Sequence, residues 1–389
     1  MNIFLIGTEF LNAGGIQRVN CMLARAFADF STRMPCTIHA FSYLDSEPAL
    51  PSEMRRESIR WHPSNRDRAA LAMTLLREAR LHQPDLLLLT HVSLLPLAPV
   101  VRALSPKTKI ALLGHGIEVW AQLRPLHRAL LRDLNSIIAP SQFTAERMAS
   151  LNGLSAGRVR VIPHSLPPDW RAEASRRRAN NPLRLLAVSR LDAADMFKGI
   201  EAILAALNAI RGRVPAFELT IAGDGTDRAR LENISRAAGL DSVVRFAGRV
   251  ADNDLRNLYA SSDIFVLPSS KEGFGLVYLE AMSFGLPVLA AHAGGVVDII
   301  ESGVSGLLVP PEDLAALSQA LRTLITDAGE RDRLARNALA RVQSSFLFSH
   351  FSRRWAEWTA AVCPYAVYAA AQRALLGKAS PGHLLPLAS

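Results

Sequence analysis

At 389 residues, with 49% hydrophobic and 20% charged positions, the chain is too long for a single hydrophobic core and too apolar for disorder over most of its length, which predicts two domains. Its formal charge of +9 lies wholly in the first half: residues 1–180 carry 23 Lys and Arg against 14 Asp and Glu, and residues 181–389 carry 21 of each. Three cysteines, Cys21, Cys36 and Cys363, without CxxC spacing or a neighbouring His, argue against a disulfide framework or a zinc ribbon and read as packing residues in a reducing compartment.

The chain opens on "NIFLIG", apolar with no basic stretch before it, which reads as a buried strand and not as a signal peptide. Further strand candidates follow at "CTIHAF", "DLLLLTH", "KIALLGH", "SIIAPS" and "VRVIPH", each separated from the next by a helical pattern. The longest apolar stretch, "DLLLLTHVSLLPLAPVV", is broken by His91, Pro96 and Pro99 and is too short to span a bilayer, so a cytoplasmic protein is expected. The segment "HSLPPDWRAEASRRRANNP" is rich in proline and charge and reads as a linker. A second set of strand candidates follows: "LRLLAVSRL", "ELTIAG", "VVRFAG", "IFVLP", "PVLAA" and "GLLVP". Alternation of this kind predicts an α/β protein of two parallel sheets, with a ligand in the cleft between their strand ends. The helical "FSRRWAEWTAAVCPYAVYAAAQRALL" is interrupted at Pro364, and "GKASPGHLLPLAS" reads as a tail.

Several groups fall where strands end. Gly14 and Gly15 precede the first helix, where bare backbone lets an anion reach helix-terminal amides, although a tight turn has the same need. Arg190 ends the strand candidate "LRLLAVSRL" and Lys198 stands at the start of the helix expected after it; a planar guanidinium and a compact ammonium suit a diphosphate, and both also suit an ordinary helix surface. Gly223 and Gly225 form a glycine-rich turn. Glu272 lies in the loop after "IFVLP", and a helix is expected from about Gly275, with the amides of Gly275 and Leu276 open to a phosphate and Glu280 within reach of a ribose. Asp252 and Asp254 sit at an expected helix start and read as capping residues, so no metal site is assigned. The arginines of "MRRESIRWHPSNRDR", "RPLHRALLRDL" and "RAEASRRR" have little aromatic interleaving and fit no nucleic-acid motif. An anionic membrane surface is therefore the favoured partner over nucleic acid, with a plain solvated face as the other reading.

The combination "SRLDAADMFKG", "AGDGTDRARLE", "FAGRV" and "KEGFGLVYLEAMSFGLPVLAAHAGGVVDII" resembles the donor domain of the family 4 retaining glycosyltransferases of GT-B fold, whose Glu-x7-Glu pattern is met by Glu272 and Glu280. The likeness is strong over residues 183 to about 345 and looser before them, at "AGGIQRV" and "GHGIEVW". It implies two Rossmann-like domains facing each other: an acceptor-side domain at 1–168, joined by a crossing helix at about 362–378, and a donor domain at 182–360. It assigns Arg190 and Lys198 to the donor diphosphate, Glu280 to the ribose and Glu272 to the sugar hydroxyls. Gly273, Phe274, Gly275 and Leu276 would lie near sugar and phosphate, Val250 at the base, Gly15 at the phosphate and His115 against the transferred sugar. The implied reaction moves a hexosyl unit from a UDP- or GDP-sugar to a glycan or lipid-linked acceptor of cell-surface polysaccharide or lipopolysaccharide synthesis, with no metal or other cofactor. An epimerase, a phosphorylase or a non-catalytic nucleotide-binding protein on the same fold are the competing readings.

Overall fold

The computed structural model describes residues 1–370 apart from 12–13, 32–34, 47–49, 51–53 and 172–181. Most of the expected linker and all of the expected tail lie outside the described residues, as does 371–378 of the expected crossing helix.

Residue contacts divide the chain into two compact units, one of Met1–Ala139, Met148–Ile162 and the chain from Phe351 on, the other of Pro140–Arg147 and Pro163–His350. The first holds a parallel seven-stranded sheet of β1 (Asn2–Gly7), β2 (Thr37–Ser42), β3 (Ile59–Pro63), β4 (Leu86–Leu89), β5 (Lys109–Leu113), β6 (Ser136–Ala139) and β7 (Val159–Val161), in the order β3-β2-β1-β4-β5-β6-β7. The second holds a parallel six-stranded sheet of β8 (Leu183–Val188), β9 (Phe217–Ala222), β10 (Val244–Gly248), β11 (Ile264–Leu267), β12 (Val288–Ala291) and β13 (Leu307–Val309), in the order β10-β9-β8-β11-β12-β13. In each sheet the winding reverses once, between β1 and β4 and between β8 and β11. Loops on either side of such a reversal part from one another, which opens a crevice at the carboxyl ends of the two strands.

The strands β4, β11 and β12 are apolar throughout, as expected where helices cover both faces. Leu86–Leu89, Ile264–Leu267 and Val288–Ala291 are buried at every position. Every strand expected from sequence is present. The additional strand β3, "IRWHP", pairs only with β2 at the sheet edge, where only Ile59 is fully buried and the alternation of arginine, tryptophan and histidine does not read as a core strand.

The expected linker begins inside the second unit. Trp170 is buried there, its indole N–H donating to Ser283 Oγ at 2.7 Å and its ring covered by Arg256 at 4.7 Å. Proline-rich composition hid that anchor. The helix Phe348–Val362 enters the first unit at Phe351; Trp355 meets Phe27 edge-on at 6.0 Å and Trp358 donates to Ser136 Oγ at 3.1 Å. All three cysteines are free thiols, and burial pushes Cys36 up to about 11 and Cys363 up to about 12. Among the described residues no helix is long and apolar enough to cross a membrane.

Candidate active site

In the second unit the two loops at the sheet reversal are stitched together. After β8 the chain passes Arg190 and forms a short 3-10 turn, Ala193–Lys198, so that Lys198 closes this turn one residue ahead of the helix Ile200–Ile210 and does not open that helix itself. After β11 the loop 268–275 runs alongside, with the Ser270 amide donating to Phe197 O at 2.8 Å. This contact brings the Lys198 ammonium to 2.6 Å from Glu272 Oε1, with both side chains largely buried at 17% and 11% exposure. Sequence reasoning had placed both residues at strand ends and missed the pair, because nothing in a linear pattern shows which two of several loops touch.

The Glu272 loop is fixed from behind. The Gly295 amide donates to Glu272 O at 2.7 Å, and Ser141 Oγ and Thr144 Oγ1 donate to Gly273 O at 2.9 and 3.2 Å. These three supports were not assigned from sequence; Gly294 and Gly295 of "AHAGG" were the one visible signal. Phe274 is buried edge-on against His164. Gly275, at φ 102°, is the N-cap of the helix Leu276–Ser283, and a β-carbon there would lie 2.5 Å from the Tyr278 ring, so position 275 admits only glycine. The Tyr278 amide turns back to Gly275 O at 3.2 Å, and the amides ahead of it at the helix start lack an acceptor one turn back and present a partial positive charge.

Arg190 reaches out of the same crevice. Its side chain is 71% exposed, and its Nη2 lies 2.9 Å from Asp195 Oδ2, near enough for an ion pair yet off the line of a hydrogen bond, since that oxygen has no hydrogen-bond partner. An exposed, loosely held guanidinium is free to turn toward a ligand. A pocket of about 250 Å³, open to solvent, is lined by Arg190, Asp195, Lys198, Glu201, Asp227 and Arg230. Arg230 is already committed, to Asp227 at 2.7 Å and Glu201 at 2.6 Å, and its hydrogen bonds hold the Asp227 carboxyl below the usual range. Arg190 and Lys198 are therefore the cations on hand for an anion.

Glu280 is 1% exposed and its Oε2 accepts from Tyr259 Oη at 2.9 Å, so it lies deeper than its place in the Glu-x7-Glu pattern implies. Gly223 ends β9 and donates to Gly248 O at 2.8 Å, and Val250 packs half-buried against the core of this unit two residues beyond that strand pair. Asp252 and Asp254 fall in the first turn of the helix Asp252–Ser261, but the N-cap is Ala251; the acids meet the positive end of the helix there without being the cap.

The first unit has its own polar groups at the β1/β4 reversal. Gly14 and Gly15 stand at the start of the helix α1 (Gly15–Ser31); a β-carbon on Gly15 would meet nothing within 4 Å, whereas one on Gly14 would lie 2.2 Å from Gln17 Oε1. His115 follows β5 and is buried. Its Nε2 lies 2.9 Å from Thr90 O, and because a carbonyl only accepts, Nε2 carries the proton and Nδ1 the lone pair. Glu118 accepts from the His115 and Gly116 amides. Burial lowers the His115 pKa; Glu118 opposes that shift, His91 adds to it, and the Thr90 carbonyl opposes it. The ring is neutral at pH 7.

Two parallel sheets of this order, with a cation pair at the reversal of the second, define the GT-B class of fold. Residues 169–341 match the model of the glycosyl transferases group 1, and residues 13–170 that of glycosyltransferase family 4. The chain belongs to the group 1, family 4 glycosyltransferases. It is 32% identical over 274 residues to the glycogen synthase of Mycobacterium tuberculosis, a match covering 70% of this chain and 60% of that protein. To the sulfoquinovosyl transferase SQD2 of Arabidopsis thaliana it is 34% identical over 233 residues, 57% of this chain and 42% of the relative. It thus spans about half of these relatives' length. Among solved structures it is similar to the sucrose-phosphate synthase of Thermosynechococcus elongatus (TM-score 0.74, 22% identity, 92% of this chain and 98% of that one). It is also similar to the Anabaena protein HepE in complex with UDP and glucose (TM-score 0.72, 20% identity, 93% and 100%).

Proposed function

We propose that the chain is a retaining glycosyltransferase that moves a hexosyl unit from a UDP- or GDP-sugar to a glycan or lipid-linked acceptor. The observation that carries this reading is the Lys198–Glu272 pair beside the open N-terminus of the helix Leu276–Ser283, with Arg190 unsaturated in the same crevice. A donor diphosphate brings negative charge to Lys198, Arg190 and the helix amides. Glu272, released from sole partnership with Lys198, is then left to accept from sugar hydroxyls. Gly273, Phe274, Gly275 and Leu276 line the sugar and phosphate with backbone, Gly223 leaves room beside the phosphates, Val250 offers backbone to the base, and Glu280, steadied by Tyr259, takes the ribose.

With charge on the leaving oxygen stabilised before it departs, the glycosidic bond breaks ahead of attack and an oxocarbenium-like centre forms. The acceptor hydroxyl adds from the face the diphosphate leaves, its proton passing to the phosphate, and configuration is retained. Protein cations neutralise the diphosphate, so this step needs no metal. Gly14 and Gly15 offer amides to the phosphate, and neutral His115 accepts at Nδ1 from a hydroxyl of the sugar.

Support for an acceptor at a cytoplasmic, anionic bilayer face comes from the first unit. The helix Pro125–Arg132 exposes Leu126 at 61%, with Arg124 exposed before it, Arg132 exposed at its end and a half-buried Arg128 between them at four-residue spacing. Each cation near an acidic surface adds about 1 kcal/mol. Incubation with a panel of nucleotide sugars and lipid-linked acceptors, reading nucleoside diphosphate release and the anomeric configuration of the product, tests the reaction. An inverted product, or release from no donor, contradicts it.

A further inference from the structure

The β2–β3 edge of the first sheet carries a group of side chains that sugar transfer does not use. His62 pairs in register with Phe41, two residues beyond His39, so the two histidines lie on one face of the sheet. The helix α2 (Arg68–His82) packs over that face, and Glu78 and His82, four residues apart, project from one side of it. Among the described residues, His39, His62 and Glu78 form the one cluster of three possible ligands whose donor atoms all lie within 4.8 Å of one another.

The separations are specific. His39 Nδ1 lies 3.2 Å from His62 Nε2 and 3.6 Å from Glu78 Oε2, and His82 Nε2 lies 3.3 Å from the same oxygen. A tetrahedral zinc ion with ligand bonds of about 2.0–2.2 Å holds its ligand atoms about 3.3–3.6 Å apart. The His39–His62 and His39–Glu78 separations thus correspond to edges of such a tetrahedron, whereas His82 meets the cluster through Glu78 alone and lies outside the three-residue group. Arg77 engages Glu78 Oε1 at 2.8 Å, which turns Oε2 toward the histidines in the way an outer partner orients a metal-bound carboxylate. His39 Nε2 is buried without a partner, so Nδ1 is the ring's one polar anchor. The His82 side chain is 41% exposed and gives an ion its entry.

We propose that His39, His62 and Glu78 hold a divalent transition-metal ion of zinc type that clamps α2 to the β2–β3 edge, with the exposed His82 side chain turning in from its contact with Glu78 as the fourth ligand. Imidazole and carboxylate donors select zinc, cobalt or nickel over magnesium and calcium. The site is structural, since no open coordination position is needed for the transfer reaction. The same four side chains sharing protons through hydrogen bonds is the competing arrangement.

The full chain, stripped with chelator and dialysed against zinc, is assayed for bound metal, for a visible d–d band after cobalt loading, and for its unfolding midpoint with zinc against magnesium. One zinc per chain is expected, with a tetrahedral cobalt band and a midpoint raised by zinc alone. The partly exposed pair His62→Gln with His82→Ala abolishes all three, and His82→Ala alone, a substitution at an exposed helix end that spares the core, weakens zinc binding by at least tenfold. No retained zinc, or zinc held equally well by the His82→Ala chain, overturns the proposal and leaves the hydrogen-bonded arrangement.

Discussion

At the reversal of the first sheet the polar groups are a buried, neutral His115 and the glycine-flanked start of α1, whereas at the reversal of the second they are the Lys198–Glu272 pair and an exposed Arg190. Both sheets place their first six strands in the same relative order. The shared winding explains where each crevice lies; the charges explain what it does. Cations held by only one or by poorly aligned partners suit a polyanion, and a neutral imidazole suits the positioning of an uncharged group. The net charge points the other way, since the basic excess belongs to residues 1–180. Bulk charge thus marks a surface, and the two cations that the proposed function assigns to the diphosphate, Arg190 and Lys198, belong to the neutral half.

The largest effect expected from breaking this asymmetry is at Lys198. Lys198→Ala removes leaving-group stabilisation and lowers turnover by about 10²–10³ with the fold intact. Arg190→Ala has the same direction. Near-normal turnover of either variant places the diphosphate elsewhere.

Next in size is Gly295→Ala. The added β-carbon would lie 2.2 Å from Gly273 O, so the Glu272 loop must shift or the backbone strain. Overpacking of this kind costs about 1–3 kcal/mol, visible in the denaturant midpoint, and turnover falls with it. A neutral result shows that the loop is not held from behind.

A smaller effect follows from acidification. Burial sets the His115 pKa below its ordinary 6.5, so its contribution to stability is complete above about pH 6.5 and is lost as pH falls below that value toward the folded pKa. The unfolding midpoint drops on the acid side, and His115→Gln flattens that limb of the profile. An unchanged limb assigns the acid loss to other groups.

The smallest effect sharpens the contrast by its absence. Well below the unfolding midpoint, turnover is unchanged by chelator, because protein cations stand in for the metal at the diphosphate. Loss of turnover restored by magnesium overturns the mechanism.

Most of the architecture was readable from the sequence because buried parallel strands such as "LLLL" and "IFVL" are apolar at every position, and because glycine marks a helix terminus like that at Gly275 whatever lies beyond it. β3 was not, since an edge strand with Arg60 and His62 lacks that signature. The Glu272–Glu280 spacing was visible, yet it did not show that Glu280 turns inward to Tyr259, or that Lys198 closes a 3-10 turn and reaches Glu272. Those are contacts between segments distant in sequence. Their only linear trace is the pair Gly294 and Gly295, two small residues where backbone passes backbone.

The most direct test of the central claim is the thermal unfolding of the full chain with UDP- and GDP-sugars, beside Lys198→Ala and Arg190→Ala. A ligand that binds only the folded state at a hundred times its dissociation constant stabilises by about 2.7 kcal/mol. The account predicts a raised midpoint with at least one nucleotide sugar and a much smaller rise in both variants. A rise equal in wild type and variants, or none with any nucleotide sugar, contradicts it.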